Sequence, residues 1–374
     1  MSPNVDPGVV LRRRRWPLFL PFALVVALGI GWSALWFYAA GRAEAEIAAW
    51  RERERGAGRQ QDCATQWIGG YPFRIEVHCG GADFELRGAP TLRLQLPSAL
   101  AAVQVYDPSL LIAELSGPLE VSEPGRAPTT VINWNGGRAS LRGRMPGTLQ
   151  RASVALDAVS VLDSRLARNA PLFRAQRLEL HGREAEGSSG ASPAVETVLR
   201  LNGATAETLH PLAAKPIDAD IAAVLRGLDD ISPKPWPARF RAWQARDGEV
   251  EIVRARIQQE DVIAVGAGTL RLTSRGGLDG SLQVTVVGVD KLLKMLDLDR
   301  MMSEGQVGAT LSALDRLIPG LGGIARQNAG PGLVAALGQR TVLEDKPAVA
   351  FPVRFADGTV FLGPFQVGEV PPLF

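Results

Sequence analysis

The sequence has few residues of the kinds that bind metal ions. Among its 374 residues there are only two cysteines and three histidines, His78, His181 and His210, which are scattered along the chain. A structural zinc site usually takes four cysteine or histidine ligands. We therefore expect no metal centre, and we interpret His181 and His210 as hydrogen-bonded structural residues and His78 as a surface residue beside a structural cysteine.

The chain also lacks an excess of either charge. Its 41 lysine and arginine residues nearly balance 39 aspartate and glutamate residues, for a formal net charge of +2. A strongly basic surface for nucleic acid is therefore excluded. We find no G-x-S-x-G, no H-E-x-x-H and no Walker or G-x-G-x-x-G phosphate loop. We expect a protein that is not an enzyme, carries no cofactor and does not bind nucleic acid.

One long apolar run is present near the N-terminus. Residues 16–41 carry no charge over roughly 26 positions, and about 20 suffice to cross a hydrocarbon core. Aromatic residues mark both ends, as in the aromatic belts of membrane helices. The sequence therefore predicts a transmembrane helix and a partner in the lipid bilayer. The alternative is a cleaved signal peptide, but its apolar region is usually only about 7–15 residues long.

Four consecutive arginines predict the orientation of this helix. Arg12, Arg13, Arg14 and Arg15 directly precede the apolar run, and basic residues stay on the cytoplasmic side of a membrane. We expect residues 1–15 to form a basic cytoplasmic tail. The bulk of the chain then lies in the periplasm, anchored by a single pass through a bacterial inner membrane. Residues 42–60, rich in alanine, glutamate and arginine, predict a helical stalk.

The two cysteines follow the stalk. In the segment 73–79 residues Phe73, Ile75, Val77 and Cys79 alternate with polar residues, which is typical of a strand with one apolar face. Cys63 can reach Cys79 after a turn at Gly69–Gly70. Because disulfides persist in oxidising compartments such as the periplasm, we predict a structural disulfide between Cys63 and Cys79.

Short segments with a period of two recur from residue 92 to residue 362, and glycine-containing turn signals separate many of them. The turn signals are Gly80–Gly81, Asn135–Gly136–Gly137, Asp247–Gly248, Gly276–Gly277 and Asp357–Gly358. The pattern predicts a mainly β (α+β) fold of extended antiparallel meanders. We expect a first β-rich half over residues 61–231 and a second over 238–374, with helices near 289–302, 309–318 and 333–337.

Several short sequence motifs resemble those of one family. They are Gly69 to Arg74 followed by Cys79, Tyr106-Asp107-Pro108, Gly268 to Leu272 and the segment from Asp357 to Phe374. Through these motifs the chain resembles an uncharacterised alphaproteobacterial family, domain of unknown function 2125. The anchor followed by a G-Y-P-F strand and long meanders is more distantly similar to AsmA-type envelope proteins. That second resemblance implies a β-rich groove that handles lipid.

Two functions agree with these observations. A curved sheet with an apolar concave face would bind or transfer lipid or another hydrophobic ligand, whereas the same alternation also fits an ordinary packed core. The alternative is a structural or scaffold protein that meets other envelope proteins through exposed Trp236 or Trp243. The sequence leaves open whether the sheet forms an open groove or a packed core.

Overall fold

The computed structural model describes residues 16–374 except 89, 144–148, 166–170, 190–192, 210, 229–231, 296–337 and 364. Within these residues the fold is mainly β and antiparallel, with one long N-terminal helix and few others, as predicted. Arg12 to Arg15 and the predicted helices over 309–318 and 333–337 lie outside the described residues.

The helices are α1 (Trp16–Gly56), α2 (Trp236–Gln244) and α3 (Val289–Met295), with a 3₁₀ helix at Pro211–Ala214. α1 is continuous through the predicted membrane span and most of the predicted stalk. It ends at Gly56, and the chain enters the first strand at Arg59. α3 coincides with the first half of the helix predicted over residues 289–302, the rest of which is not described.

The described strands follow one another along the chain, most of them ten to fifteen residues long. They are β1 (Arg59–Gly69), β2 (Arg74–Leu86), β3 (Leu92–Gln104), β4 (Asp107–Ser116), β5 (Leu119–Ser122), β6 (Thr130–Asn133), β7 (Gly136–Gly143), β8 (Leu149–Asp163), β9 (Phe173–Glu184), β10 (Ala194–Ala204), β11 (Ile217–Arg226), β12 (Glu249–Gln259), β13 (Val262–Leu272), β14 (Leu278–Val287), β15 (Gln339–Leu343), β16 (Lys346–Ala356), β17 (Thr359–Leu362) and β18 (Phe365–Glu369).

All of these strands belong to one antiparallel sheet in which most strands pair with the next strand along the chain. β4 and β5 share one edge of β3, and β7 and β6 continue the meander to β8. From β8 the ladder runs without interruption to β14, which pairs with β16. β15 and β17 share the far edge of β16, and β18 closes the series.

The sheet is continuous across the boundary between the two predicted halves. β11 pairs with β12 from Asp218 opposite Gln258 to Arg226 opposite Glu249, with one bulge. The segment between these strands contains α2 and does not interrupt the ladder. The division at residues 232–237 stays a prediction, since strand pairing alone does not define how the halves unfold.

The register separates apolar and charged side chains onto opposite sides of the sheet. Directly paired residues of an antiparallel sheet point to the same side. One such row crosses twelve strands: Val77, Ala101, Ala113, Ala139, Val154, Leu180, Leu199, Ile221, Ala255, Gly266, Val284 and Phe351. The side of the sheet that carries this row is called the apolar face.

The adjacent row of paired residues points to the other side of the sheet and contains charged residues in many of the same twelve strands. Its members are His78, Leu100, Glu114, Arg138, Ala155, Glu179, Arg200, Asp220, Arg256, Val265, Thr285 and Ala350. This side is called the charged face. The alternation that the sequence showed strand by strand is therefore one property of the whole sheet.

The predicted turn signal Asn135–Gly136–Gly137 lies at a break between two strands, because Trp134 and Asn135 separate β6 from β7 and the two glycines begin β7. Another predicted turn lies inside a strand instead: Gly80 and Gly81 belong to β2, so the prediction of a turn there was wrong. The physical reason is that Gly81 has a φ of 58°, a conformation that bends a strand and that glycine adopts easily. The apolar positions change from odd numbers before Gly81 to even numbers after it.

Irregular residues at matching positions of other strands form a crease across the sheet. They include Pro97, the Gly117–Pro118 break between β4 and β5, the Trp134–Asn135 break between β6 and β7, Ala158 (φ 52°) and Gly203 (φ 57°). Cys63, the register partner of Ala82, is bonded to Cys79 on the other side of the crease. Apolar side chains on both sides of the crease therefore point the same way.

Candidate functional site

The apolar face remains open to solvent over much of its width. Between β3 and β12 most of its described side chains are partly exposed, and Leu180 and Ile257 are 47% and 41% exposed. Buried exceptions in this stretch are small or valine residues such as Val159, Ala175 and Ala204. An ordinary packed core would bury the large aliphatic residues first.

Substantial burial is found at the β13–β16 side of the sheet. Val262, Val286 and Phe351 on the apolar face pack with Val289, and Leu292 of α3 joins them. A second cluster on the opposite side contains Ile263, Val287 and Ala348. Among the described residues these two clusters form the dense part of the molecule, and the apolar face extends from it towards β1.

The sheet curls strongly. Trp243 Nε1 donates a hydrogen bond to the carbonyl of Arg226 (2.7 Å), which ties α2 to the end of β11. Pro235, directly before α2, lies against the β2–β3 turn: a Cβ atom built on Gly88 would be 3.4 Å from Pro235 Cγ. α2 is about 14 Å long, whereas a flat sheet would hold β3 and β11 roughly 30 Å apart. Curling of the sheet is needed to bring these segments together.

Ion pairs link neighbouring strands on the charged face. Arg177 contacts Asp157 of β8 (2.9 Å) and Glu179 (2.6 Å), and Arg183 donates to Glu196 of β10 (2.6 Å). Hydrogen bonds from Arg177, then from His181, lower the pKa of Glu179. Such pairs at a solvated surface each contribute little to stability. They identify the charged face as the side that faces water.

The histidines described by the structure have structural partners. His181 Nδ1 lies 2.9 Å from Ser153 Oγ, and His78 stacks on Trp67 with ring centroids 3.5 Å apart. Neither belongs to a cluster of three or more potential metal ligands in the described part of the chain. His210 is outside the described residues.

The two cysteines of the predicted disulfide lie together at the start of the sheet. Their sulfur atoms are 1.98 Å apart, at bonding distance, and their Cα atoms are 5.4 Å apart. Arg51 of α1 reaches this place, with Nη2 3.4 Å from Cys63 Sγ and a hydrogen bond to Gln66 Oε1. The helix and the first two strands are therefore linked at the edge of the apolar face.

A crevice of about 590 Å³ with charged and apolar lining residues lies near the C-terminal segment. It is lined by the β13–β14 turn, the β16–β17 turn and residues 369–372. Arg275 pairs with Asp357, which also accepts a hydrogen bond from Thr273 Oγ1 (2.5 Å). These contacts hold the turns together, and the crevice is separate from the row that defines the apolar face.

Of the two tryptophans predicted to be exposed, the structure exposes one. Trp236 is 69% exposed and stacks on Phe240, with ring centroids 5.7 Å apart. Trp243 is 9% exposed, so its prediction as an exposed docking residue was wrong. Its indole N–H is used inside the protein, where it binds the carbonyl of Arg226.

Sequence reasoning missed the contact between α1 and the β1–β2 turn. Trp32 and Trp36 donate to the carbonyls of Pro72 and Arg74 (2.8 and 2.7 Å), and Ser33 Oγ bonds to the hydroxyl of Tyr71 (2.8 Å). The aromatic residues of the helix had been assigned to a membrane belt. No sequence signal indicates that their N–H groups are directed at a turn about 40 residues away.

The fold and this surface define a class of protein: a curled antiparallel sheet with one open apolar face, preceded by one helix long and apolar enough to cross a membrane. The chain belongs to a bacterial family described as "Uncharacterized protein conserved in bacteria (DUF2125)", whose model matches residues 36–371. The predicted resemblance to this family is confirmed. No curated protein and no solved structure matches the chain. The similarity to AsmA-type proteins stays a prediction.

Proposed function

We propose that this protein is an inner-membrane-anchored periplasmic protein that binds or transfers lipid, whose acyl chains lie on the apolar face. The observation that carries the proposal is the apolar row across twelve strands. Leu180 of this row remains exposed although the sheet curls, and its neighbours Leu199 and Ile221 are only partly buried.

The chemistry of the face fits an acyl chain better than a polar ligand. The row contains only aliphatic residues, one glycine and one phenylalanine, so it offers no side-chain hydrogen bonds. Burial of apolar surface contributes about 0.8 kcal/mol for each methylene group, so ten methylenes on this face would contribute roughly 8 kcal/mol. The headgroup would stay outside, in water or near charged residues.

The proposed location depends on the anchor and the disulfide. α1 is long and apolar enough to span a membrane, and the cysteine pair indicates an oxidising compartment. Arg12 to Arg15 favour a cytoplasmic N-terminus. A reporter enzyme that needs disulfides, fused after Phe374, should be active, and a fluorescent protein that folds in the cytoplasm should be dark. The reverse result would contradict this topology.

Site-specific photo-crosslinking tests lipid binding. Leu180 on the apolar face and Ile112 on the charged face are a matched pair of aliphatic residues, 47% and 45% exposed. With a benzophenone amino acid at either position in the full chain in membranes, we expect a lipid adduct at 180 and not at 112. Equal adducts at both positions, or none at 180, would contradict lipid binding by the apolar face.

A scaffold role is the second candidate, and exposed Trp236 is the observation that favours it. Aromatic residues are enriched where proteins contact partners. A crosslinker at Trp236 that recovers one protein partner, together with the absence of lipid adducts at Leu180, would favour the scaffold role over lipid transfer.

A further inference from the structure

The β1–β2 turn, residues 70–73, lies beside the part of α1 that is apolar enough to be in a membrane. Trp32, Ser33 and Trp36 of the helix contact this turn through the three hydrogen bonds described above. Arg42 is the first charged residue after the apolar run. At 1.5 Å per residue, Trp36 and Trp32 lie about 9 and 15 Å before Arg42 along the helix axis. In a bilayer that residues 16–41 of α1 cross, the turn would lie at the depth of the bilayer surface or below it.

Several carbonyl groups of this turn, and that of Arg74 directly after it, accept hydrogen bonds from the protein. The carbonyls of Pro72 and Arg74 accept the indole N–H groups, the carbonyl of Gly70 accepts the N–H of Arg74 (2.9 Å), and that of Phe73 accepts the N–H of Val105 (3.0 Å). Unsatisfied carbonyls are costly in a lipid environment. A turn in water would not need indole donors, because water would supply the hydrogen bonds.

Three partly exposed aromatic side chains lie at this end of the sheet, and two of them also pack on α1: Tyr71 stacks on Phe37, and Phe73 lies against Trp32, each with ring centroids 6.1 Å apart. Tyr71, Phe73 and Tyr106 are 54%, 60% and 68% exposed, and Tyr106 is in the adjacent β3–β4 turn. The β1–β2 and β3–β4 turns, residues 70–73 and 105–106, are together called the tip. Large exposed aromatic residues at one tip are unusual for a surface in water, whereas tyrosine is enriched at membrane interfaces. Arg74 is paired with Glu76 (3.2 Å) directly behind the tip, where charged groups would meet lipid headgroups.

The apolar face continues to this tip. Phe73 precedes Ile75, Val77 and Cys79 at a spacing of two residues, and Val103 is paired with Ile75 on the next strand. An acyl chain near Phe73 would therefore meet apolar side chains of β2 and β3 without crossing a charged residue.

We propose that the β1–β2 and β3–β4 turns insert into the periplasmic leaflet of the membrane that α1 spans, and that the apolar face opens there to its acyl chains. This inference rests on the proposed function for the identity of the ligand. Lipid would then reach the sheet at these two turns, and it would come from the membrane that α1 spans.

Spin labels report the depth of the tip. Phe73→Cys, Tyr106→Cys and, as a control, Arg126→Cys in the β5–β6 turn at the other end of the strands would be labelled in the full chain. The native cysteines are bonded to each other and stay unlabelled. In vesicles of phosphatidylethanolamine and phosphatidylglycerol, the labels at 73 and 106 should collide with oxygen more, and with a water-soluble nickel chelate several-fold less, than the label at 126.

Nickel accessibility at both 73 and 106 equal to that at 126 would overturn insertion. The label at 106 keeps the test valid if the change at Phe73 disturbs its contact with Trp32. If the labels at 73 and 106 are exposed to water but a lipid adduct forms at Leu180, insertion of the turns is overturned and lipid binding by the apolar face is not. An inserted tip without any adduct at Leu180 would overturn the proposed function alone.

Discussion

At the scale of single residues, Cys63 and Cys79 fix the start of the sheet next to α1. The pair closes a loop with a sequence separation of 16, and a loop of this size is expected to contribute about 3 kcal/mol to stability in the chain-entropy description. Arg51 of α1 contacts the same place through Cys63 Sγ and Gln66 Oε1, so the helix meets the sheet beside the bond.

The first prediction concerns this bond. Alkylation of the unreduced, unfolded protein should find no free thiol, and reduction should release two. The double variant Cys63→Ser, Cys79→Ser should lose about 3 kcal/mol of unfolding free energy, measured by denaturant titration in detergent. Two reactive thiols before reduction would contradict the pairing.

Asp163 at the end of β8 carries the second prediction. The side chain of Arg165 and then its backbone N–H bind the carboxylate and lower its pKa to about 2. Because the folded pKa is below the unfolded value of 3.8, the ionised group stabilises the fold above about pH 4. This contribution is lost as the pH falls from about 4 to 2.

Arg165→Gln removes the largest cause of this shift. Between pH 4 and pH 2 the unfolding free energy of the variant should fall less steeply than that of the wild type. Titrating the denaturation midpoint against pH measures both slopes. Identical slopes would show that Arg165 does not hold the pKa of Asp163 down.

At the scale of elements, the crease determines the shape of the strands. Positive φ angles at Gly81, Ala158 and Gly203 occur at matching positions of separate strands. A single irregular residue would disturb the pairing of the neighbouring strands, whereas irregular residues at matching positions let the strands bend together. Because the apolar positions switch between odd and even numbers across the crease, the strands bend and still keep their apolar side chains on one face.

The third prediction tests the crease with two glycines. In Gly81→Ala the new Cβ would be 3.0 Å from Ala64 Cβ at a φ of 58°, and we expect a loss of about 1–2 kcal/mol. Gly182 of β9 has no positive φ, and a Cβ there would meet nothing closer than 3.8 Å. Gly182→Ala should therefore be neutral or slightly stabilising. Equal effects on thermal unfolding would contradict a conformational role for Gly81.

The elements also show what the sequence could and could not predict. Alternation correctly predicted strands around Leu92, Leu178, Leu270 and Val353, because one apolar face leaves a period of two wherever a strand is regular. Gly80–Gly81 was interpreted as a turn because glycine pairs look the same at a hairpin and at a bend within a strand. Only the pairing of β2 with β1 and β3 on both sides of Gly81 distinguishes the two.

At the scale of the whole molecule, strand order decides whether an apolar face becomes a core or a groove. A meander in which each strand pairs with strands close to it in sequence places the apolar rows on one side of a single sheet. A sandwich would require two sheets whose apolar sides meet. The sequence predicted the meander and left open whether the sheet curls into a groove, since the contact of Pro235 with the β2–β3 turn joins segments far apart in the chain.

The same reasoning explains why the tip was not predicted. Tyr71, Phe73 and Tyr106 look like ordinary strand-end aromatics in the sequence. Their position becomes informative only when Trp32 and Trp36 are seen to hold the turn against the apolar part of α1.

The most direct measurement of the central claim is the amount of lipid that purifies with the full chain. Native mass spectrometry in a mild detergent would compare the wild type with Leu180→Glu on the apolar face and Ile112→Glu on the charged face. The account predicts bound phospholipid in the wild type and in Ile112→Glu, and several-fold less in Leu180→Glu because a carboxylate on this face is costly beside an acyl chain. The same lipid content in all three proteins, or a lipid-free wild type, would contradict it.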